Sequence, residues 1–409
     1  MSKVLYISYD GMCDPLGGSQ VLPYLFGLAE RGHRISLISF EKPDRTDAER
    51  KGVALACVEA GIDWHPLPYH KQPPVLSTMV DLFRMRRLAE DLHRRIGFDL
   101  LHCRSYLPAL VGLRLKRRQQ VPFIFDMRGF WADERVDGGL WNLRNPLFRA
   151  VYRYFKGRET EFLGEADQIV SLTEAGKDVI LGWRKDACAG PPITVIPCCV
   201  DFDAFPAVTS ESRAAARREL GIEPSSAVAA YLGSLGTWYL SDEMLDFFRV
   251  QIERRPDARL LIVTRDSPES LKTSARAKGI PDNRLIIRPA SRDEVAKVVA
   301  AADYGIFFIK PLFSKLASSP TKMGEFLALE LPIVTNAGVG DVERIMAETG
   351  GGVVVRTFDD AAYHNALTAL DLLRPDEKRW RTATRNWLGL DVGIDRYDAL
   401  YRTSARSLR

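Results

Sequence analysis

The chain has 409 residues, 46% hydrophobic and 27% charged, with a net charge of +4; this excludes a disordered chain, and the length asks for two globular domains of roughly 200 residues with a cleft between them. The six cysteines (Cys13, Cys57, Cys103, Cys188, Cys198, Cys199) form no Cys-x-x-Cys pair and have no histidine at zinc spacing, so neither a disulfide framework nor a metal site is expected and a reducing compartment is. No run of about 18 apolar residues occurs, and Met1-Ser2-Lys3 leads straight into Val4-Leu5-Tyr6-Ile7 with no basic leader region, so the expected location is cytoplasmic.

In chain order, short β-branched and aromatic runs alternate with longer helical patterns, as in βα units with buried parallel strands. The predicted strands of the first half are Val4–Tyr9, Ile35–Phe40, Leu100–Cys103, Phe123–Phe125, Ile169–Leu172 and Thr194–Ile196. The first ends in Asp10-Gly11-Met12-Cys13-Asp14-Pro15-Leu16-Gly17-Gly18-Ser19-Gln20, before an apolar helix starting near Val21. Two readings fit this stretch: Gly17 and Gly18 bring amides against an anionic ligand at a helix start, or they only reverse the chain. The spacing is neither Gly-x-Gly-x-x-Gly nor a Walker loop, which weakens dinucleotide and NTPase readings. Between Asp81 and Gln120, ten Lys or Arg stand against four Asp or Glu. The groups Arg84, Arg86, Arg87, Arg94, Arg95 and Arg114, Lys116, Arg117, Arg118 either face anionic lipid or form solvated helix faces. No nucleic-acid motif accompanies them.

A junction is expected from Pro197 to Pro206, where Asp201 and Asp203 interrupt the apolar pattern. Beyond it, strands are predicted at Val228–Leu232, Leu260–Thr264, Leu285–Ile287, Gly305–Ile309, Ile333–Thr335 and Gly352–Val355. The segment from Lys310 to Pro332 contains a helix start, with Ser319 as N-cap and Pro320 at the first helical position, leaving the amides of Thr321 and Lys322 without intrahelical partners. Those amides suit a pyrophosphate. Glu325, three residues beyond Lys322, either accepts the hydroxyls of a ribose or forms an exposed ion pair with Lys322. In the tail from Glu377, the residues Trp380, Trp387, Tyr397, Leu400 and Tyr401 recur at helical spacings, so it is expected to pack back on the first domain. The division is then 1–203, 204–385 and a terminal helix 386–409.

With these stretches assembled, the chain resembles the retaining two-domain glycosyltransferases of the GT-B fold, specifically family 4, over nearly its whole length. The resemblance rests on Leu16-Gly17-Gly18-Ser19-Gln20, Glu165-Ala166-Asp167-Gln168-Ile169-Val170, Val195-Ile196-Pro197-Cys198-Cys199-Val200-Asp201 with Phe205, Tyr231-Leu232-Gly233-Ser234-Leu235, Pro320 to Glu325 with Leu331-Pro332-Ile333-Val334, and Arg396-Tyr397-Asp398-Ala399-Leu400-Tyr401. It implies two Rossmann-like domains facing a cleft and a nucleotide-sugar donor held mainly by the second. The implied donor residues are Gly233, Ser234, Ser318, Ser319, Thr321, Lys322 and Glu325, with Glu325 on the ribose, and Gly17 and Gly18 closing over the donor phosphates or the acceptor. It further implies hexosyl transfer to a saccharide or polyprenyl-linked saccharide; no cofactor and no metal are expected. Retention in the family is explained by front-face attack, in which the departing diphosphate accepts the proton of the incoming hydroxyl.

Three departures from the family pattern matter. The family often has a glutamate eight residues before the one matching Glu325, where this chain has Ala317. Many members bind the diphosphate with an Arg and a Lys where this chain has Ser234 and Tyr239, so another cation is needed: Lys322 first, then Lys310, Lys315 and Arg265. Many also carry a histidine near Arg128, which cannot serve as a base because its guanidinium stays protonated. Arg128 is therefore read as orienting an acceptor phosphate or carboxylate, with Asp126 or Asp133 on hydroxyls, or alternatively as bracing its loop against Asp126. The expected catalytic set is Asp126, Arg128 and Lys322. Rival readings are a nucleotide-sugar epimerase and a non-catalytic binding or scaffold protein of the same fold.

Overall fold

The computed structural model describes residues 1–73, 75–184, 190–373 and 377–406, so Cys188 lies outside the described residues. The chain forms two compact units, Met1–Pro197 with Leu390–Arg409, and Cys198–Gly389. Each is a parallel sheet with helices, a doubly wound α/β architecture. Among the described residues no helix is long and apolar enough to cross a membrane.

Unit 1 contains strands β1 (Lys3–Ser8), β2 (Arg34–Glu41), β3 (Asp63–Pro68), β4 (Leu100–Arg104), β5 (Phe123–Asp126), β6 (Gln168–Ser171) and β7 (Ile193–Val195), in the order β3-β2-β1-β4-β5-β6-β7. All of β4, β5 and β6 and most of β1 and β2 are buried, which is why they read as unbroken apolar runs. The sequence pattern missed β3. This strand lies at the sheet edge, is only partly buried and carries Pro66 and Pro68, tolerated there because an edge strand has a row of unpaired groups.

Unit 2 contains β8 (Val228–Leu232), β9 (Arg259–Val263), β10 (Leu285–Arg288), β11 (Tyr304–Ile306), β12 (Ile333–Asn336) and β13 (Gly352–Val355), in the order β10-β9-β8-β11-β12-β13. The strand expected at Gly305–Ile309 stops at Ile306. Beyond it the Asn336 side chain takes over the ladder's role, accepting from Ile309 N at 2.8 Å and donating to Ile309 O at 2.8 Å.

The unit boundaries fall at 197/198 and 389/390 rather than 203/204 and 385/386. Val200 already bridges Gly389, and Phe205 sits in the core of unit 2. Asp201 Oδ1 accepts from Asp203 N at 2.9 Å, a local turn. The tail divides likewise. Trp380 and Leu388 belong to the core of unit 2, whereas the helix Leu390–Arg406 packs on the helix Leu22–Glu30 of unit 1. There it buries Tyr397, Leu400 and Tyr401, each worth roughly 1.5–3 kcal/mol by the usual scale for large apolar side chains. Its Asp398 lies 2.8 Å from His33 Nε2.

Candidate functional site

In unit 2 the strand order reverses between β8 and β11, and in open parallel sheets ligands bind outside the carboxyl ends of the strands at such a point. Past β8 the chain turns at Gly233 (φ +110°), whose N–H donates to Val263 O at 2.9 Å. Ser234 is exposed, and its carbonyl accepts from the Tyr231 hydroxyl. Leu235 N donates to Asp266 Oδ2 at 2.7 Å, fixing the rest of the turn.

Lys322, in the helix Thr321–Ala328, points to this turn. Its Nζ lies 4.1 Å from the ring centre of Tyr231, 3.7 Å from that of Tyr239 and 6.0 Å from that of Phe307 just past β11. A Cβ on Gly233 would stand 3.3 Å from the amine, so the absent side chain leaves room for the lysine tip. The amine is buried and has no hydrogen-bond partner among the described residues. Burial pushes its pKa well below the usual lysine value, against an opposing pull from the Glu325 charge. The ring faces favour the protonated form and return part of that desolvation cost.

The helix start differs from expectation. Pro320 is the N-cap and no side chain caps the end; Ser319 instead accepts from Cys198 N through Oγ at 3.1 Å. The amides of Thr321 and Lys322 find no acceptor among the described residues, so the donor pair survives although its cap does not. Ser318 is half-buried and its N–H goes to Lys315 O at 3.2 Å. Of the other cations considered, Lys315 places Nζ 3.7 Å from the centre of the Trp238 ring, while Lys310 and Arg265 are exposed.

Glu325 and Lys322 do not pair. Glu325 is buried and bonds Arg292, whose guanidinium also stacks 4.7 Å from the centre of the Phe205 ring. Both residues project from one helix, but Lys322 is drawn toward the aromatic turn and Glu325 toward the helix Arg292–Val299. Arg292 was not anticipated: an exposed-looking arginine in a charged helix carries no local signal of a partner 33 positions away.

In unit 1, Gly17 and Gly18 lie inside a short helix, Pro15–Gln20, rather than in a turn before one. A Cβ on Gly17 would fall 2.1 Å from Gly11 O, so glycine is required for packing against the preceding loop. The nearby amides of Met12 and Cys13 already donate to Glu41, at 2.7 and 3.1 Å. A built-in carboxylate thus occupies the anion position that this loop offered.

Asp126, at the end of β5, is fully buried rather than open to an acceptor hydroxyl. Tyr397 OH donates to its Oδ2 at 3.1 Å, and His102 Nε2 lies 3.3 Å from the same oxygen. His102 Nδ1 lies 2.8 Å from Tyr401 OH, so the terminal helix closes the network. Burial pushes the Asp126 carboxyl up, but Arg128, His102 and Arg104 outweigh this and hold it below its usual range. Arg128 is half-buried and adopts φ +56°, a strained conformation for a non-glycine residue. Arg104 is buried and donates from Nε to Asp10 Oδ2 at 3.1 Å, linking the ends of β4 and β1 across the reversal of strand order in this sheet. Asp133 is committed to Tyr152 OH and Lys156 Nζ, at 2.8 and 2.9 Å.

Burial lowers the pKa of His102, with Asp126 acting in the opposite sense. The unfolded chain therefore binds this proton at a higher pH than the folded one, and the stability contributed is present above about 6.5 and lost as pH falls through the folded value. Urea midpoints of unit 1 are expected to decrease between pH 7 and pH 5, and His102→Gln to flatten that slope; a midpoint independent of pH in both proteins would contradict this account.

Residues 22–204 match the family description "Glycosyltransferase Family 4", and residues 212–387 match "Glycosyl transferases group 1". The chain is a family-4-like glycosyltransferase of the GT-B fold. This glycosyltransferase is 27% identical over 336 residues to a D-inositol 3-phosphate glycosyltransferase of Segniliparus rotundus, covering 77% of this chain and 70% of that one. A protein of the same description from a Mycobacterium species is 28% identical over 222 residues, covering 53% of this chain and less than half (47%) of that relative. Among solved structures, sucrose-phosphate synthase from Thermosynechococcus elongatus superposes with a TM-score of 0.75 at 16% identity, covering 98% and 99% of the two chains. The Anabaena protein Alr3699/HepE in complex with UDP-glucose gives a TM-score of 0.71 at 12% identity, covering 99% and 100%. Lys322 fills the space at the Gly233 turn.

Proposed function

We propose that unit 2 binds a nucleoside diphosphate sugar, its diphosphate on the amides of Thr321 and Lys322 and on the Lys322 amine, and its ribose on Glu325. Lys322 carries this reading: an amine buried at the strand-order reversal without a hydrogen-bond partner among the described residues is costly to the fold and is compensated when an anion arrives. The transferred group is a hexose, and the acceptor is a saccharide hydroxyl, free or polyprenyl-linked at the inner face of a membrane. UDP-glucose, the ligand of the Anabaena neighbour, is the first donor to test, and inositol 3-phosphate, named in the relatives, is the first acceptor.

Transfer proceeds with retention and without a metal. The bond from the anomeric carbon to the diphosphate oxygen breaks as the acceptor oxygen bonds the same face, and its proton passes to the departing diphosphate. No enzymic nucleophile is needed. Amides and a cation aimed at the leaving group stabilise the charge that develops there. Arg128 orients the acceptor, while Asp126 holds Arg128 in place.

Calorimetric titration with UDP, GDP, ADP and dTDP tests the donor site. One nucleotide is expected to bind, and Glu325→Ala to weaken it by about tenfold to a hundredfold, the value of hydrogen bonds to a charged acceptor. The freed Arg292 is half-exposed, so its loss of partner should cost little. Binding of none of the four would leave a scaffold of this fold as the better account, and an inverted anomer in the product would remove retention.

A further inference from the structure

The helix Leu76–Ile96 of unit 1 buries one stripe, Ser77, Asp81, Met85, Ala89 and Leu92, as an amphipathic helix on a sheet should. Its first turns carry a second apolar stripe facing solvent. Leu76, Met79, Val80 and Phe83, at i, i+3, i+4 and i+7, are 60%, 60%, 47% and 52% exposed. Four large apolar side chains on one helix face form a contiguous patch of the kind that marks an interaction site.

Along the stretch Lys71–Ala89 the exposed charges are all of one sign. Arg84 and Arg87 are exposed on the same helix, and Lys71 is exposed just ahead of it in the chain. The single acidic residue between Lys71 and Ala89 is Asp81, which is fully buried and accepts from Tyr9 OH at 2.9 Å and His70 N at 3.1 Å. Arg84 and Arg87 have no carboxylate partner among the described residues. The basic group farther on is different. Arg114 donates to Glu90 at 2.9 Å, Lys116 pairs with Asp167 at 2.8 Å, and Arg117 pairs with Glu161 at 2.7 Å and with Glu165, so three of its four cations are neutralised within the fold. Arg94 and Arg95 likewise share Asp91.

We propose that the first two turns of this helix dock the protein on an anionic lipid bilayer, Leu76, Met79, Val80 and Phe83 entering the headgroup boundary and Lys71, Arg84 and Arg87 lying on lipid phosphates. An apolar helical face flanked by cations is the pattern of a helix lying in the plane of the interface. A second copy of the chain fits the patch less well, because a two-fold contact would set the same cations against one another. The docking serves the proposed function by bringing unit 1 to a lipid-linked acceptor and rests on that reading for its purpose.

Sedimentation of the full chain with vesicles of phosphatidylcholine plus phosphatidylglycerol, against phosphatidylcholine alone, tests it. The wild type is expected to sediment with the mixed vesicles only. Arg84→Ser with Arg87→Ser should weaken this by roughly thirtyfold, given about a fivefold gain per surface cation, and Met79→Ser with Phe83→Ser should abolish it. Leu372→Ser, at a 72% exposed leucine of unit 2, should change nothing. All substituted side chains are exposed or lack a carboxylate partner, so circular dichroism should be unaltered. Equal sedimentation of wild type and Met79→Ser with Phe83→Ser would overturn the proposal. So would a dimer by light scattering that this double variant dissociates, since the patch would then belong to a second copy. Nucleotide titration of the same variants should match wild type, so a failed donor site and a failed docking face give separate signatures.

Discussion

Lys322→Met is expected to raise the stability of unit 2 while removing most of its nucleotide affinity. The amine is buried on Tyr231 and Tyr239 and makes no hydrogen bond to the described residues, so the site bears a desolvation cost that a thioether of similar length does not. The ring faces offset part of that cost, leaving a gain of about 1 kcal/mol or somewhat more on substitution. Against this, the diphosphate loses a charge-assisted contact worth about 1.5–3 kcal/mol, or roughly tenfold to a hundredfold in affinity. Urea unfolding and calorimetric titration of one preparation measure both. A merely structural lysine would move the two in the same direction, so a variant both less stable and weaker in binding would end the case for a functional cation. The opposite signs would identify a group retained at the expense of the fold.

Asp126→Ala should have the largest effect in unit 1, a loss of about 3–5 kcal/mol, because it leaves positive charge without its buried counter-ion. Arg104 and Arg128 both act on this carboxylate, and Tyr397 OH would lose its acceptor. Since Tyr397 lies on the terminal helix, the substitution should loosen Leu390–Arg406 first, which amide hydrogen exchange would register as lost protection there. Nucleotide titration should be unchanged, because the proposed donor residues lie in unit 2. A loss below about 1 kcal/mol would mean that the network is not what holds the helix.

Particular residues show how much of this was legible in the sequence. Buried parallel strands have to be apolar along their whole length, so twelve of thirteen strands stood out; β3 did not, because an edge strand accepts proline and half-exposure. The segment Ser318 to Glu325 was legible as a place where amides lack partners, since a helix end leaves them free by its geometry. Ser319 was misread as a cap because serine accepts from any suitably placed amide, and the one that reached it belongs to Cys198. The resemblance named the ribose carboxylate but carried no information on Arg292, which in this structure already occupies it. Gly17 was legible as a required glycine; the Glu41 carboxylate facing the neighbouring amides was not.

By itself the sequence determined the doubly wound class, the resemblance to family 4 and the free amides at the start of Thr321–Ala328, because strand burial, helix-end chemistry and motif spacing are local properties of the chain. Only the tertiary structure decided the partners: that Lys322 rests on aromatic rings instead of on Glu325, that Asp126 is held by the terminal helix instead of facing an acceptor, and that the first turns of Leu76–Ile96 leave an apolar stripe in solvent. Charge and burial depend on which distant residues arrive at the same place. The order of residues along the chain does not record that.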